Sequence, residues 1–335
     1  MRLAKTLIAI TPRERVEFFP DEMFEQLAQL VPDLLVVDPS SLSGESAWRE
    51  CLAAEKPEII VSCWKTPALP GPQPACDIKY LCHLAGSVRK FVTAEQIERG
   101  LLVSNWGNSV SRVIAECGLF LTIAALRQAT HWTMAMHQEG GWKDDSTEFF
   151  SLFERRVGLH GFGSIAQQLA RLMKPFDVRL QAFSPSVPDA TLTECGVTRA
   201  TSLEALFADN DVVIELAPLT ARTEGMVTEA ILRRLKPGSV FVNIGRGAVV
   251  DEAALARVAS EGKIQVALDV FGIEPLPLDS PFRGMRNVTM LPHLSGPTTD
   301  RRRDAGRLAI NNIRRYLKGE ALEAHITNAV FARST

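Results

Sequence analysis

Residues 157–166 read Val157-Gly158-Leu159-His160-Gly161-Phe162-Gly163-Ser164-Ile165-Ala166. A short apolar strand runs into a Gly-x-Gly-x-x-Ala turn that opens a helix. A backbone that turns sharply and then approaches a pyrophosphate closely has no room for side chains at the turn. Gly161 and Gly163 supply that freedom, and the helix that follows aims its first amides at phosphate charge. Glycine turns are common, so the stretch decides the fold only if the rest of the chain behaves as though a dinucleotide sits there.

Working outward toward the C-terminus, six apolar strand candidates recur at α/β spacing, at 157–160, 178–183, 212–216, 240–244, 264–270 and 288–291. Helix signals fill the gaps. Thr201-Ser202-Leu203-Glu204 forms a capping box, Asp251 caps a helix that Gly262 ends, and Pro237-Gly238 stops the one before. This alternation predicts an α/β fold, a doubly wound parallel sheet with right-handed crossovers.

Toward the N-terminus come a polar stretch, 137–147, and a long apolar helix over 109–127. The first hundred residues form a second, smaller α/β unit. Leu34-Leu35-Val36-Val37, Ile59-Ile60-Val61-Ser62-Cys63 and Leu101-Leu102-Val103 read as buried parallel strands, with helices at Asp21 to Leu30 and Ala94 to Glu98. Pro67, Pro70, Gly71, Pro72 and Pro74 mark a surface loop. From Pro297 on there is one amphipathic helix and a short end, expected to pack back onto the first hundred residues.

With 335 residues, 46% of them hydrophobic and 23% charged, the chain has ample core for two domains. A net charge of −2 gives no electrostatic reason to expect nucleic acid or an anionic membrane as partner. Met1 to Ile10 reads as a first strand rather than a signal segment. Val113 to Leu126 is interrupted by Glu116 and is too short to span a bilayer. Cys51, Cys63, Cys76, Cys82, Cys117 and Cys195 show no Cys-x-x-Cys spacing, so reduced thiols in a cytoplasmic protein and no metal site are expected.

Ligands of a doubly wound sheet bind at the carboxyl ends of its strands. Those ends carry Ser184, then Ala217-Pro218, then Gly245-Arg246, then Asp269 with Glu274 shortly after, then Pro292-His293. The set suits hydride transfer to a 2-keto acid. The planar fork of Arg246 can take a carboxylate bidentately and polarise the keto oxygen. His293 would protonate that oxygen as hydride arrives, Glu274 would orient its ring, and Asp269 is placed to bond the nicotinamide amide. Ser184 stands about twenty residues past the glycines, where an acidic residue would hold an adenosine ribose; a serine lacks that grip and does not repel a 2′-phosphate.

The chain resembles the D-isomer-specific 2-hydroxyacid dehydrogenases over nearly its whole length. The resemblance rests on 157–166, Leu216-Ala217-Pro218-Leu219-Thr220, the run from Val242 to Asp251, the run from Ala267 to Pro277, and Leu291-Pro292-His293. It implies a catalytic trio of Arg246, Glu274 and His293, with NAD or NADP as cofactor. The cofactor would meet Gly161, Phe162, Gly163, Ser164, Ile165, Ser184, Ala217, Pro218, Thr223, Ile244, Gly245, Asp269 and Gly296. A Rossmann cofactor domain over 105–296 and a flavodoxin-like substrate domain over 1–104 plus 297–335 are implied, with the active site in the cleft and a homodimer built on the long helix near 109–127. The substrate would be a small 2-keto acid of the glyoxylate or hydroxypyruvate kind, meeting Arg246, Trp64, Lys65, Gly86 and Ser87. Lys65 or Arg89 could meet a second anionic group. Two alternatives stand beside this: a dinucleotide-sensing, corepressor-like binding protein, and a phosphite-type anion dehydrogenase. Ala166 and Ser184 depart from the pattern of NAD-preferring members, yet no arginine immediately follows Ser184 to hold a 2′-phosphate. His160 reads as strand-end packing, and Arg301-Arg302-Arg303 as the wet side of the last helix.

Overall fold

The computed structural model describes residues 3–71 and 78–333; Pro72, Pro74 and Cys76 of the expected loop lie outside them. The chain divides into two units, Met1–Val110 with Pro297–Thr335, and Ser111–Gly296.

In the first unit five parallel strands, β1 (Thr6–Ala9), β2 (Leu34–Val37), β3 (Ile59–Ser62), β4 (Tyr80–His83) and β5 (Leu102–Ser104), lie in the order β2-β1-β3-β4-β5. The order reverses between β1 and β3, as in flavodoxin-like sheets. Leu7, Ile60, Leu81 and Val103 are buried and pack with Trp48 and Leu52 of helix Glu45–Glu55. Helix Pro12–Phe18 begins at a reciprocal cap: the Glu14 amide donates to Thr11 Oγ1 (3.2 Å) and the Thr11 amide to Glu14 Oε2 (2.8 Å). Helix Arg302–Lys318 returns from the far end of the chain and packs on Pro12–Phe18.

The second unit holds β6 (Arg156–His160), β7 (Arg179–Phe183), β8 (Val197–Arg199), β9 (Val212–Glu215), β10 (Val240–Asn243), β11 (Gln265–Leu268) and β12 (Val288–Met290). All seven are parallel, in the order β12-β11-β10-β9-β6-β7-β8. The direction of winding reverses between β6 and β9, where the glycine turn emerges. Helix Ser111–Leu126 packs against helix Ser164–Met173, and the missing Cβ of Gly118 leaves room for the Ile244 side chain, whose Cδ1 would otherwise lie 2.7 Å away. No single helix is long and apolar enough to cross a membrane among the described residues.

The structure shifts some expected elements. The cap before helix Leu203–Asp209 is Ser202, whose hydroxyl accepts the Ala205 amide (3.1 Å), one residue later than a Thr201–Glu204 box requires. Helix Glu229–Leu232 ends at Arg233, before Pro237-Gly238, which turn the chain into β10 instead. β4, β8 and the helices Pro12–Phe18 and Glu45–Glu55 join the elements read from apolar runs.

Candidate active site

The turn at Gly161 takes φ +87°, a conformation that favours glycine, and a Cβ there would lie 2.8 Å from the backbone N and Cα of Ala217. Beyond the ends of β6 and β9, the Gly161 turn and Ala217 therefore meet main chain to main chain. Gly163 caps helix Ser164–Met173 without any side-chain acceptor; it is exposed, and its missing Cβ would meet nothing within 4 Å. The first turn of a ten-residue helix is thus left without a capping side chain and beside an exposed glycine, which fits a bound pyrophosphate. Phe162 is buried, Ile165 is half-buried, and Ser164 Oγ accepts from Ser111 Oγ at 3.0 Å.

At the end of β7, Ser184 is buried, and its carbonyl accepts from Arg199 at 3.0 Å. Arg199 arrives from β8, whose register pairs it with Ala182, and also donates to Asp189 Oδ1 and the Val187 carbonyl. A guanidinium therefore stands beside Ser184 although no arginine immediately follows that serine in the sequence.

After β9 the main chain passes Ala217 and Pro218, and Thr223 fastens the loop by donating to the Pro218 carbonyl (2.6 Å) and accepting the Thr220 amide (2.8 Å). After β10 the Ile244 side chain is turned into helix Ser111–Leu126, so only its main chain can face a ligand. The Gly245 amide donates to Asn243 Oδ1 (3.0 Å), and Arg246 donates back to the Gly245 carbonyl (2.7 Å). Burial pulls the Arg246 guanidinium down from its ordinary value and Glu274 pulls it up; arginine stays charged throughout. A Cβ on Gly247 would overlap the backbone of Phe271 and Gly272, so the main chain beyond β10 lies directly against that beyond β11.

His293 and Glu274 meet at 2.6 Å between Nδ1 and Oε2, while Glu274 Oε1 accepts the Phe271 amide at 3.0 Å. With Nδ1 facing the carboxylate, Nε2 is the nitrogen that can exchange a proton with a substrate. His293 takes φ +54°, an uncommon value for a residue with a Cβ. Asp269 supports that turn: fully buried, it accepts the Leu294 amide (2.6 Å), the Ser295 amide (3.0 Å) and the Ser295 hydroxyl, while its carbonyl accepts the His293 amide (2.9 Å). The residue expected to bond the nicotinamide amide thus also sets the main chain of the histidine. A cavity of about 680 Å³ opens beside Glu274 and His293, walled by Phe271, Leu276, Met290 and Pro292. Gly296, at the end of this unit, has open space where a Cβ would be.

In the first unit, Trp64, Gly86 and Trp106 stand beyond the carboxyl ends of β3, β4 and β5. Trp64 is 44% exposed, its ring 5.5 Å from Phe18 and 6.5 Å from Trp106, with the Arg302 guanidinium carbon 4.8 Å from its centroid. A Cβ on Gly86 would come 2.8 Å from the Trp106 ring. Lys65 is exposed, and Ser87 is half-buried beside Arg89, whose amide lies 3.5 Å from its Oγ. Two side chains differ from expectation. Arg302 is not on the wet side of its helix: it covers Trp64 and pairs with Glu17. Arg89 donates to the carbonyls of Phe331 (3.0 Å) and Ala332 (3.2 Å), binding the terminal helix.

One buried pair goes beyond the strand-end packing expected of His160. His160 and Glu215 are hydrogen-bonded through Nδ1 and Oε2 at the ends of β6 and β9. The available signal was Glu215 itself, a lone carboxylate inside the apolar run Val212 to Leu216.

Residues 119–295 match the model of the D-isomer specific 2-hydroxyacid dehydrogenase NAD binding domain. The chain is 35% identical over 223 residues to D-3-phosphoglycerate dehydrogenase of Mycobacterium bovis, covering 66% of this chain and 42% of that protein. It therefore spans about two fifths of the length of that relative. It is 32% identical to glyoxylate/hydroxypyruvate reductase B of Pectobacterium atrosepticum over 68% of this chain and 72% of the relative. The crystal structure of a glyoxylate reductase from Paecilomyes thermophila superposes with a TM-score of 0.78 at 25% identity, over 96% of this chain and 98% of that one.

Proposed function

The chain belongs to the D-isomer specific 2-hydroxyacid dehydrogenase family, with NAD or NADP as cofactor, and from that premise we propose that it reduces small 2-keto acids to D-2-hydroxy acids and runs the reverse oxidation. The observation that carries this reading is the His293–Glu274 pair at the carboxyl edge of the sheet that also presents Arg246.

Arg246 holds the substrate carboxylate with its fork and turns the keto oxygen toward His293. Protonated His293 gives its Nε2 proton to that oxygen, and takes it back in the oxidative direction. Glu274, fixed by the Phe271 amide, keeps the imidazole ring aimed and offsets the charge it carries before the proton leaves. When bound, the nicotinamide supplies or accepts the hydride. The glycine turn from Gly161 to Ile165, Ser184, Ala217, Pro218, Thr223, Ile244, Gly245, Asp269 and Gly296 are the proposed cofactor contacts; Trp64, Lys65, Gly86 and Ser87, with Arg246, are the proposed substrate contacts.

Assembly as a homodimer is part of the proposal. Phe120, Met136, Trp142, Phe149 and Phe153 are all more than half exposed and lie within one stretch of the second unit. Aromatic side chains and methionine clustered this way suit a protein–protein contact. Free cysteines among the described residues suit the cytoplasm, and a net charge of −2 suits a small-molecule substrate rather than nucleic acid.

The test is oxidation of NADH and NADPH, side by side, with glyoxylate, hydroxypyruvate, pyruvate and phenylpyruvate. Turnover of at least one is expected, and any of hydroxypyruvate, pyruvate and phenylpyruvate that reacts, its product being chiral where glycolate is not, should give the D-product on a chiral column. An L-product, or no oxidation with any of them, contradicts the reading.

A further inference from the structure

The His160–Glu215 pair has no part in the proton and hydride chemistry. It exists because β6 and β9 are parallel neighbours and their register sets these two residues side by side. Both are buried, at 3% and 0% exposure, and flanked in their own strands by the apolar Leu159 and Ile214. Replacing a buried pair of this kind by apolar side chains is often neutral for folding, so stability alone does not account for it.

The second oxygen of the carboxylate shows what the pair holds. Glu215 Oε1 accepts the Ala217 amide at 2.7 Å while Oε2 faces His160. Ala217 is the residue whose main chain occupies the space of a Gly161 Cβ. On its other side, a Cβ on Gly245 would come 3.1 Å from the Glu215 carbonyl oxygen and 3.3 Å from Leu216 Cα. Residues 215–217 are thus wedged between two glycine turns, and the Leu216 amide donates to the His160 carbonyl at 2.8 Å. A displacement of Ala217 would move both turns.

We propose that Glu215 is a positioning residue for the dinucleotide, with His160 as its orienting partner, and that the pair fixes the main chain of Ala217 against the Gly161 turn where the cofactor lies. The proposal rests on the cofactor assignment and not on the substrate.

The test measures Kd for NADH and NADPH by nicotinamide fluorescence. The double variant Glu215→Met/His160→Leu replaces both side chains by apolar groups, so it is expected to fold, with a melting temperature lowered by no more than one unpaired Ala217 amide costs. Without the acceptor for Ala217, its Kd for the preferred nucleotide is expected to rise about tenfold, the scale of one lost buried hydrogen bond. Glu215→Gln keeps an acceptor for that amide and is expected to bind within about threefold of the wild type. A folded double variant that binds within about twofold of the wild type overturns the proposal. Amide exchange in the unaltered protein gives a second reading. The Ala217 amide should exchange as slowly as those of β9 before any cofactor is added, and fast exchange there overturns the proposal. Wild-type nucleotide binding without turnover of any 2-keto acid sinks the functional reading and leaves this one standing.

Discussion

At the scale of the residue, the site is built on two carboxylates with different tasks. Glu274 addresses the imidazole ring of His293 from the side, and Asp269 holds the main chain beneath it. That Arg246, Glu274 and His293 fall at one edge of the sheet was legible because they are ionisable groups at strand ends, where a doubly wound sheet leaves room for a ligand. The supporting task of Asp269 was not, because it depends on amides of residues 294 and 295 that only the turn brings within reach. Glu274→Gln removes the charge beside the imidazole while keeping an oxygen for the Phe271 amide. A fall in kcat of about a hundredfold is expected, within the range of positioned acid–base groups, with little change in nucleotide Kd. Steady-state kinetics beside fluorescence titration checks this, and an unchanged kcat removes Glu274 from its role.

His83 makes a separate residue-scale prediction. It is buried in β4, its Nδ1 2.9 Å from Ser62 Oγ and its Nε2 without a hydrogen-bond partner among the described residues, and burial lowers its pKa to about 3 from 6.5. Between those values the unfolded chain binds a proton that the folded chain refuses. Stability therefore rises with pH across that window and is lost as pH falls through it, by about 1.4 kcal/mol per pH unit for one proton. His83→Asn keeps a partner for Ser62 and removes the titration. Urea midpoints between about pH 4 and 6 should depend less on pH in the variant, and identical slopes would show that His83 is not the group responsible.

At the scale of the element, what matters is how closely main chain meets main chain. Gly161→Ala would force a Cβ to within 2.8 Å of the Ala217 backbone at a φ of +87°, with no flexible side-chain end to give way. A loss of about 2 kcal/mol or more and a nucleotide Kd raised beyond about tenfold are expected. A melt beside a nucleotide titration checks both, and normal binding by the Gly161→Ala variant would remove the turn from the cofactor site. Strands and turns with apolar runs or glycines were legible from periodicity. β4 was not, since Tyr80-Leu81-Cys82-His83 carries a phenol, a thiol and an imidazole into the interior, the phenol closing on Ser104 Oγ at 2.6 Å. β8 was missed because only Val197 of its three residues is buried. Arg199 could not be placed beside Ser184 from sequence, because fifteen residues of chain separate them and strand pairing alone closes the gap.

At the scale of the whole molecule, the alternation of strands and helices gave away two parallel sheets, and each has the winding order that creates a ligand-binding edge. Surface apolar groups such as Trp142 and Phe149 carry no such pattern, since nothing in a sequence tells a core aromatic from one that awaits a partner. On the homodimer proposal, replacing both with serine should shift sedimentation from dimer toward monomer at micromolar concentration. A wild type that sediments as a monomer would contradict that proposal, and equal association by variant and wild type would remove Trp142 and Phe149 from the contact.

On the proposed mechanism His293 passes a proton to the keto oxygen while other residues hold the dinucleotide. His293→Ala beside the wild type in one assay separates the two tasks: kcat for the best 2-keto acid, and Kd for the preferred nucleotide. A kcat lower by several orders of magnitude with Kd unchanged within about twofold is expected, since proton transfer and nucleotide binding lie on different strand ends. Retained turnover in the alanine variant would contradict the mechanism.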